Sequence, residues 1–325
     1  MALTLAAWAC TRPEVPPASE RTEPPPTIPA ADAAPTALAR AAATVSPAQV
    51  TEQQVREVLA LHGAKEVCNQ LNGCDLPRHL AALGRGAATH ILAAFDRSKS
   101  DAWWRFRSLE ALGRIGGPEA EAGLVRVFLE DAMPPARAEA ALALGRGAMR
   151  GALPALRTVA TQSPRPPVSV LLATAYALSR LRDPLGAALF TEHLVVPEGG
   201  AKVAPGARRV DVDTRWHELR PGIWAAGELR LVGHLQVVQE AALRGEPFTR
   251  RDAVVALSKL RQPRAIPTLI EALADELPST RKLAQEALVS LTGKRTLSTA
   301  AEWRAYAADA AGAKADLEVI APGAP

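Results

Sequence analysis

The strongest constraint on this chain is a short pattern that recurs along most of its length. Each copy has a leucine followed, three and six residues later, by a small or apolar residue and often by a proline. The leucines are Leu83, Leu112, Leu144, Leu178, Leu257 and Leu288. Their spacings are 29, 32, 34, 79 and 31 residues, so the long interval hides one more copy. Repetition at this period is typical of solenoid proteins.

Each copy predicts two short helices. Apolar residues at helical spacing precede the leucine, a glycine or proline interrupts them, and a second apolar series follows, as in Leu269, Ile270 and Leu273 after Pro267. Two short amphipathic helices cannot bury both apolar faces alone, so neighbouring copies must stack. Alanine-rich stripes and an aromatic content of 4% agree with closely packed helices. We therefore predict an all-α fold, an α-α superhelix, over residues 49–310.

The copies resemble HEAT repeats, in the short variety first described in phycobilisome lyase subunits. The matching features are the ALG and ALS strings at the leucines, the turn prolines Pro118, Pro184 and Pro263, and the alternating Leu/Ile second helix. The resemblance covers roughly residues 76–310 and implies a solenoid of the HEAT/armadillo type. It implies a protein-binding or scaffolding role only in general terms, because this scaffold carries unrelated activities.

The repeat is lost between Leu194 and Gly222, which predicts an irregular insertion at about 195–222. The alternation from Arg209 to Asp213 favours a short hairpin or an excursion loop. Insertions of this kind project from a solenoid and carry specificity, so a recognition site is one interpretation. The other is a variable loop whose tryptophans cover a repeat junction. The candidate recognition residues are Arg208, Arg209, Arg215, Trp216, His217 and Trp224.

The N-terminal residues have the shape of a signal segment. Residues 2–9 are apolar and end in a small residue before Cys10, after which the sequence becomes polar and proline-rich. This resembles the lipobox of bacterial lipoproteins. The resemblance implies that Cys10 is lipidated and that the body faces an extracytoplasmic compartment from a membrane. The alternative is an ordinary terminus of a cytoplasmic protein.

The segment that follows is predicted to be a disordered Pro/Ala-rich linker, residues 11–48. It has nine prolines and no glycine up to Pro47, a composition that favours extended polyproline II and excludes helix or sheet ladders. It suits a tether, although a degradable disordered tail has the same composition. At the other end, residues 311–325 are predicted to be a loosely held tail.

Two cysteines remain if Cys10 is lipidated. Cys68 and Cys74 flank an Asn72-Gly73 turn signal that brings them together. A disulfide and a pair of buried thiols are both compatible with this spacing. Zinc is disfavoured, because only His62 and His79 lie nearby and no second cysteine pair is present. A disulfide would match an oxidising compartment.

Arginines recur seven residues before the leucine in four copies: Arg105, Arg137, Arg250 and Arg281. Each follows an acidic residue at the end of the preceding copy, namely Asp101, Asp131, Glu246 and Asp275 or Glu276. This repetition favours a structural ladder of acid and arginine pairs that fixes the angle between copies. The alternative is a row of arginines that binds a phosphate or an acidic partner.

No catalytic motif stands out in the sequence. HEAT-type repeats also build deoxyhypusine hydroxylase, in which several His-Glu pairs hold two irons. This chain has one such pair, His217-Glu218, and one reversed pair, Glu192-His193. We therefore expect no catalytic residues, metal site or cofactor. The net charge of +4 makes a dedicated nucleic-acid binder unlikely by composition.

The sequence as a whole predicts a non-catalytic protein-interaction scaffold. We expect it to be tethered to the cell envelope through a lipid anchor, with proteins of the envelope as partners and the second helices as its concave binding face. The alternatives are a HEAT-type lyase or another enzyme, a cytoplasmic adaptor, and a nucleic-acid-binding solenoid.

Overall fold

The repeated leucines and alanines fold into a stack of antiparallel helix pairs. The computed structural model describes residues 50–62, 68–69, 73–98, 102–197 and 215–309, all within the unit 44–325. The helices in this part of the chain are α1 (Glu52–His62), α2 (Asp75–Ala82), α3 (Ala88–Arg97), α4 (Ala102–Ile115), α5 (Pro118–Glu130), α6 (Pro134–Arg146), α7 (Leu153–Thr161), α8 (Val168–Arg180), α9 (Leu185–His193), α10 (Arg215–Glu228), α11 (Leu235–Arg244), α12 (Pro247–Leu260), α13 (Ile266–Ala272), α14 (Pro278–Thr292) and α15 (Ala300–Ala308). The predicted all-α solenoid is confirmed.

The pairs run from α2–α3 to α14–α15, and α1 packs on α2. We call α2, α4, α6, α8, α10, α12 and α14 the first helices, and their partners the second helices. The pair α10–α11 is the additional copy predicted within the 79-residue interval between Leu178 and Leu257. A two-residue antiparallel ladder, β1 (Cys68–Asn69) with β2 (Gly73–Cys74), lies between α1 and α2 in the chain. The predicted signal-like segment, linker and C-terminal tail lie outside the described residues.

Glycines let successive first helices touch backbone to backbone. An added Cβ atom would lie 2.9 Å from Ala143 Cα at Gly113, 2.8 Å from Ala177 Cα at Gly145 and 2.7 Å from Ala256 Cα at Gly227. Real Cβ atoms do not approach other atoms so closely. Helix packing therefore requires glycine at these three positions.

The first helices form the more closely packed of the two layers. Successive second helices touch each other much less extensively than successive first helices do. The small residues that permit this close approach lie on the first helices. That the second helices form the concave face stays a prediction.

The C-terminal boundary of the predicted irregular segment lies earlier in the chain than the sequence indicated. Helix α10 begins at Arg215, so the residues up to Gly222 are helical and not part of an insertion. Pro221 and Gly222 look like helix breakers, but burial of Trp216 and Leu219 holds this stretch in the core. A Cβ atom on Gly222 would lie 2.8 Å from Leu172 Cδ1, so a larger residue here would displace the end of that leucine side chain.

The chain leaves the first helices through a residue with positive φ. The position is occupied by Gly84 (81°), Gly116 (66°), Ala148 (49°), Arg182 (64°), Arg230 (53°), Arg261 (52°) and Gly293 (74°). Glycine adopts this left-handed conformation freely, whereas a residue with a Cβ atom pays about 1–2 kcal/mol. Three of the turns nevertheless carry arginine.

The close approach of the first helices gives a prediction for Gly145→Ala. We expect the variant to lose about 1–3 kcal/mol of stability, because the new methyl overpacks against Ala177 and the ring of Tyr176. The loss should appear although alanine is the better helix former by about 1 kcal/mol. The measurement is the urea midpoint followed by circular dichroism at 222 nm.

The matched control is Gly233→Ala, since nothing lies within 4 Å of a Cβ atom at that position. The control should unfold at the midpoint of the parent chain or above it. Equal midpoints for the two variants would contradict the close packing of the first helices.

Candidate functional site

Two buried arginines hold the turns that lead from one repeat to the next. The Arg105 guanidinium pairs with the Asp131 carboxylate and lies 4.1 Å from the centroid of the Phe95 ring. Arg105 thus joins α3 of the preceding repeat to the turn after α5. Arg105 is 5% exposed, so this contact lies inside the protein.

Arg250 makes the equivalent contact four repeats later. Its Nε donates to Asp275 Oδ2 at 2.6 Å, and its Nη2 donates to Asp275 Oδ1 at 3.1 Å and to Glu276 Oε1 at 2.6 Å. Burial acts to lower the pKa of Arg250, but the bonds to Asp275 and Glu276 outweigh burial and raise it. Arg250 therefore remains a cation although it is 1% exposed.

The aspartates of these contacts also shape the turns. Asp131 Oδ1 accepts from the Met133 N–H at 2.9 Å, and Asp275 Oδ1 accepts from the Leu277 N–H at 2.9 Å. One carboxylate thus satisfies a buried arginine and a main-chain donor two residues ahead. We call Arg105–Asp131 and Arg250–Asp275 the inter-repeat clamps.

Arg137 and Arg281 occupy the same sequence position but have different partners. Arg137 Nε donates to the Phe128 carbonyl at 2.8 Å. Arg281 Nη1 donates to the carbonyls of Asp275, at 2.7 Å, and Glu276, at 3.0 Å. These cations bind the free carbonyl groups at the end of the preceding repeat, where the helix dipole also favours positive charge.

The predicted acid partners need a correction. The sequence favoured the acid before each arginine, but Arg105 and Arg250 pair with the acid at the end of their own repeat. The reason is the antiparallel pairing of the two helices, which returns the chain to the level where the first helix began. Asp101 lies outside the described residues.

The candidate recognition residues of the predicted insertion separate into several groups. Arg208 and Arg209 lie outside the described residues. Arg215 is exposed at the start of α10, and His217 Nδ1 lies 3.4 Å from Glu246 Oε1. Trp216 is 1% exposed, so it is a core residue, and the prediction that it contacts a partner is wrong.

Trp224 belongs to a different environment, shared with α6 and α8. The Arg146 guanidinium lies 4.8 Å from the Trp224 ring centroid, and Tyr176 meets that ring edge-on with centroids 4.9 Å apart. Glu139 accepts from Arg146 Nη1 at 2.7 Å. Burial acts to lower the pKa of Arg146, but Glu139 and Glu110 outweigh it and raise it. Trp224 is half-buried beneath this cation.

An exposed aromatic ring lies on α12, the first helix that follows α10. Phe248 is 56% exposed, and two guanidinium groups lie near its ring, those of Arg220 at 5.7 Å and Arg251 at 5.5 Å from its centroid. Asp252 holds both arginines, at 2.6 Å from Arg220 Nε and 3.0 Å from Arg251 Nη2. Asp252 thus fixes the two guanidinium groups that lie beside this solvent-exposed ring.

We call Arg146, Trp224, Arg220, Phe248 and Arg251 the aromatic–arginine row. Sequence reasoning identified only Trp224 of this row. The available signal was the helical spacing of Arg220 with Trp224 and of Phe248 with Arg251, which places each pair on one helix face. The spacing alone could not predict that these helix faces are exposed to solvent.

The comparisons with known proteins agree with the helix pairs. Residues 220–289 match the family model described as HEAT repeats. This segment, from within α10 to within α14, therefore contains HEAT repeats. No curated protein matches the sequence. A similar solved structure is that of human deoxyhypusine hydroxylase in complex with glycerol, at 23% identity over 82% of this chain and 94% of that chain, with a TM-score of 0.38.

The isolated histidines of the described residues each have different neighbours. His90 Nε2 lies 2.9 Å from the Val50 carbonyl, and the His234 ring is 6.1 Å from that of Phe190. Glu192 pairs with Arg165. Burial lowers the pKa of His193. Within the described ranges, no three His, Cys, Asp or Glu side chains converge as metal ligands would.

The cysteines were predicted to form a lipid anchor and a disulfide. Cys10 lies outside the described residues. In the β1–β2 ladder, Cys68 is directly opposite Cys74. Directly opposed residues of an antiparallel pair have Cα atoms about 4.5–5.5 Å apart, which lies within the range that a disulfide spans. No helix of the described part is long and apolar enough to cross a bilayer.

The inter-repeat clamps give a prediction for Arg250→Met. We expect a loss of about 3–5 kcal/mol, because Asp275 would be left buried without its cation. The matched control is Arg126→Met, since Arg126 pairs with Asp96 but the two side chains are 44% and 50% exposed. That control should lose less than about 1 kcal/mol. Urea midpoints measure both, and similar losses would contradict a special role for the clamp.

Proposed function

We propose that this protein is a non-catalytic protein-interaction scaffold, tethered to the cell envelope through Cys10. The observation that carries the scaffold is the aromatic–arginine row. Aromatic residues and arginine are enriched at protein interfaces and among their hot spots, and here Trp224 and Phe248 lie beside guanidinium groups. The HEAT-repeat stack presents them on one rigid layer.

The rigidity of this layer supports the binding role. The row extends over α6, α10 and α12, and Tyr176 fills the position on α8 between them. Backbone contact between the first helices fixes the distances between these side chains. A preorganised surface spends less free energy on ordering when it binds, which favours affinity. The partner proposed here is a folded protein with an acidic and apolar patch.

The tether is supported by the N-terminal sequence. An apolar segment ends at Cys10, and nine prolines follow up to Pro47. At about 3 Å per residue, an extended polyproline II segment of this length reaches roughly 100 Å. A body held in this way can meet partners at some distance from the membrane that holds the lipid.

The cysteine pair supports the same compartment. A disulfide between Cys68 and Cys74 forms when the two thiols give up two electrons and two protons to a disulfide-bearing oxidant. Such oxidants act in extracytoplasmic compartments, whereas the cytoplasm keeps thiols reduced. The opposed backbone positions of the two cysteines favour this bond.

The binding surface is tested by Phe248→Ala and Arg251→Ala in a C-terminally tagged native chain captured from cross-linked cells. Each variant should lose the recurrent partners, since truncation at a hot spot costs about 2 kcal/mol, or roughly 30-fold in affinity. The matched control is Leu129→Ala, which removes an apolar side chain that is 42% exposed on the second-helix layer. Partners lost equally from the control, or retained by all three variants, would overturn this surface.

The address is tested on the same captured chain by mass spectrometry. We expect a mature N-terminal peptide that begins at acylated Cys10, and a Cys68–Cys74 peptide that resists alkylation until it is reduced. Cys10→Ala should release the protein from the membrane fraction and leave its partners able to bind. An unprocessed Met1 with alkylated cysteines and cytosolic partners would contradict the envelope address and leave the scaffold proposal intact.

A further inference from the structure

The turns that connect first to second helices lie along one edge of the solenoid. Gly145, near the end of α6, meets Ala177 near the end of α8, and Gly227 meets Ala256 near the ends of α10 and α12. Tyr176 and Trp224 join the ends of α8 and α10. Since the C-terminal ends of successive first helices are side by side, the turns that follow them must be neighbours as well.

This edge carries a row of exposed arginines, which we call the arginine edge. Its members are Arg150, Arg180, Arg182, Arg230, Arg261 and Arg264. None of the six has an ion pair with another residue in the part of the chain that the structure describes. They come from four consecutive turns, so the edge presents a guanidinium group at every repeat from α6 to α13.

The acidic residues of the same turns do not neutralise this charge. Asp183 is buried and pairs with Arg157 of α7 at 2.7 Å. Glu228 pairs with Lys259 on the next first helix. Among the described residues these carboxylates thus leave the positive charge of the edge without an ion-pair partner, although the whole chain has a net charge of only +4.

Three of these arginines occupy the left-handed turn position. Arg182, Arg230 and Arg261 have positive φ at a position where other repeats have glycine. This conformation is strained for a residue that has a Cβ atom. Folding alone would favour glycine here, so the arginines are retained at a cost to stability. Strain of this kind concentrates at functional sites.

We propose that the arginine edge binds the surface of a bilayer that contains anionic phospholipids. Guanidinium groups bind phosphate oxygens through two parallel hydrogen bonds. A basic residue near an anionic membrane surface contributes about 1 kcal/mol, so six in a row give substantial affinity. The apolar side chain of Val232, 47% exposed beside Arg230, is placed to enter the headgroup layer.

The chemistry of the edge favours a membrane over nucleic acid. The four turns contain no Phe, Tyr or Trp, whereas proteins that bind single strands stack bases on aromatic rings. The arginines also lie on the tips of short turns, which form a rim and not a groove that encloses a strand. A rim with one cation per repeat fits an extended flat surface.

The inference rests on the arginine edge and not on the lipid at Cys10. The test therefore uses the full chain with Cys10→Ala, so that no acyl group contributes. Its co-sedimentation is measured with vesicles of phosphatidylcholine alone and with vesicles that also contain phosphatidylglycerol. We expect binding only to the anionic vesicles, and weaker binding at high salt.

The decisive variant combines Arg182→Gly, Arg230→Gly and Arg261→Gly in this background. It removes three charges and relieves the turns, so it should be more stable than the parent while it binds anionic vesicles roughly 100-fold more weakly, at about fivefold per charge. Its higher urea midpoint excludes unfolding as the cause.

The charge-matched control is Arg97→Gln with Arg126→Gln and Arg304→Gln. These arginines are exposed on second helices, and their loss gives the same change in net charge. The control should bind like the parent. Equal losses in the two triple variants, binding retained by the edge variant, or binding to a DNA duplex without binding to anionic vesicles would each overturn the proposal.

Discussion

The contact on which the whole solenoid depends is the approach of one first helix to the next at a glycine. Where Gly113, Gly145 and Gly227 meet an alanine of the following helix, no side chain separates the two backbones. This contact sets the spacing of the repeats and aligns the ends of the first helices. The arginine edge and the aromatic–arginine row both follow from that alignment, because each is made of residues from several repeats that no single repeat could bring together.

The inter-repeat clamps complement this apolar contact with a polar one. Close packing of glycine against alanine fixes a distance but has little directional preference. A bidentate arginine–carboxylate pair is directional, and it also satisfies main-chain donors in the turn. Because both partners are buried, the pair is weak evidence for added stability, but losing one partner is costly. Its contribution is therefore to specify the turn geometry and not simply to stabilise the fold.

The fold was predictable because its signal repeats. Period, leucine position and the alanine stripe all indicated one architecture, whereas the glycine contacts between repeats emerged only from the structure. The start of α10 was not predictable, since Pro221 and Gly222 are locally unfavourable in a helix and are overridden by the burial of Trp216. The acid partner of Arg250 was misplaced for a similar reason. Sequence proximity favoured one acid, whereas the antiparallel helix pair brought another one closer.

The two proposed surfaces lie on different parts of the first helices and are proposed to bind different partners. The aromatic–arginine row lies along the sides of the first helices, whereas the arginine edge lies at their ends. A solenoid whose edge rests on a bilayer therefore has the sides of its first helices roughly perpendicular to the membrane and open to a partner beside it. The guanidinium groups serve the two surfaces differently. In the row, Asp252 and Glu139 hold them in place beside aromatic rings, which suits a shaped protein partner. On the edge they have no ion pair with any other described residue, and this suits a fluid surface whose phosphates can move to meet them.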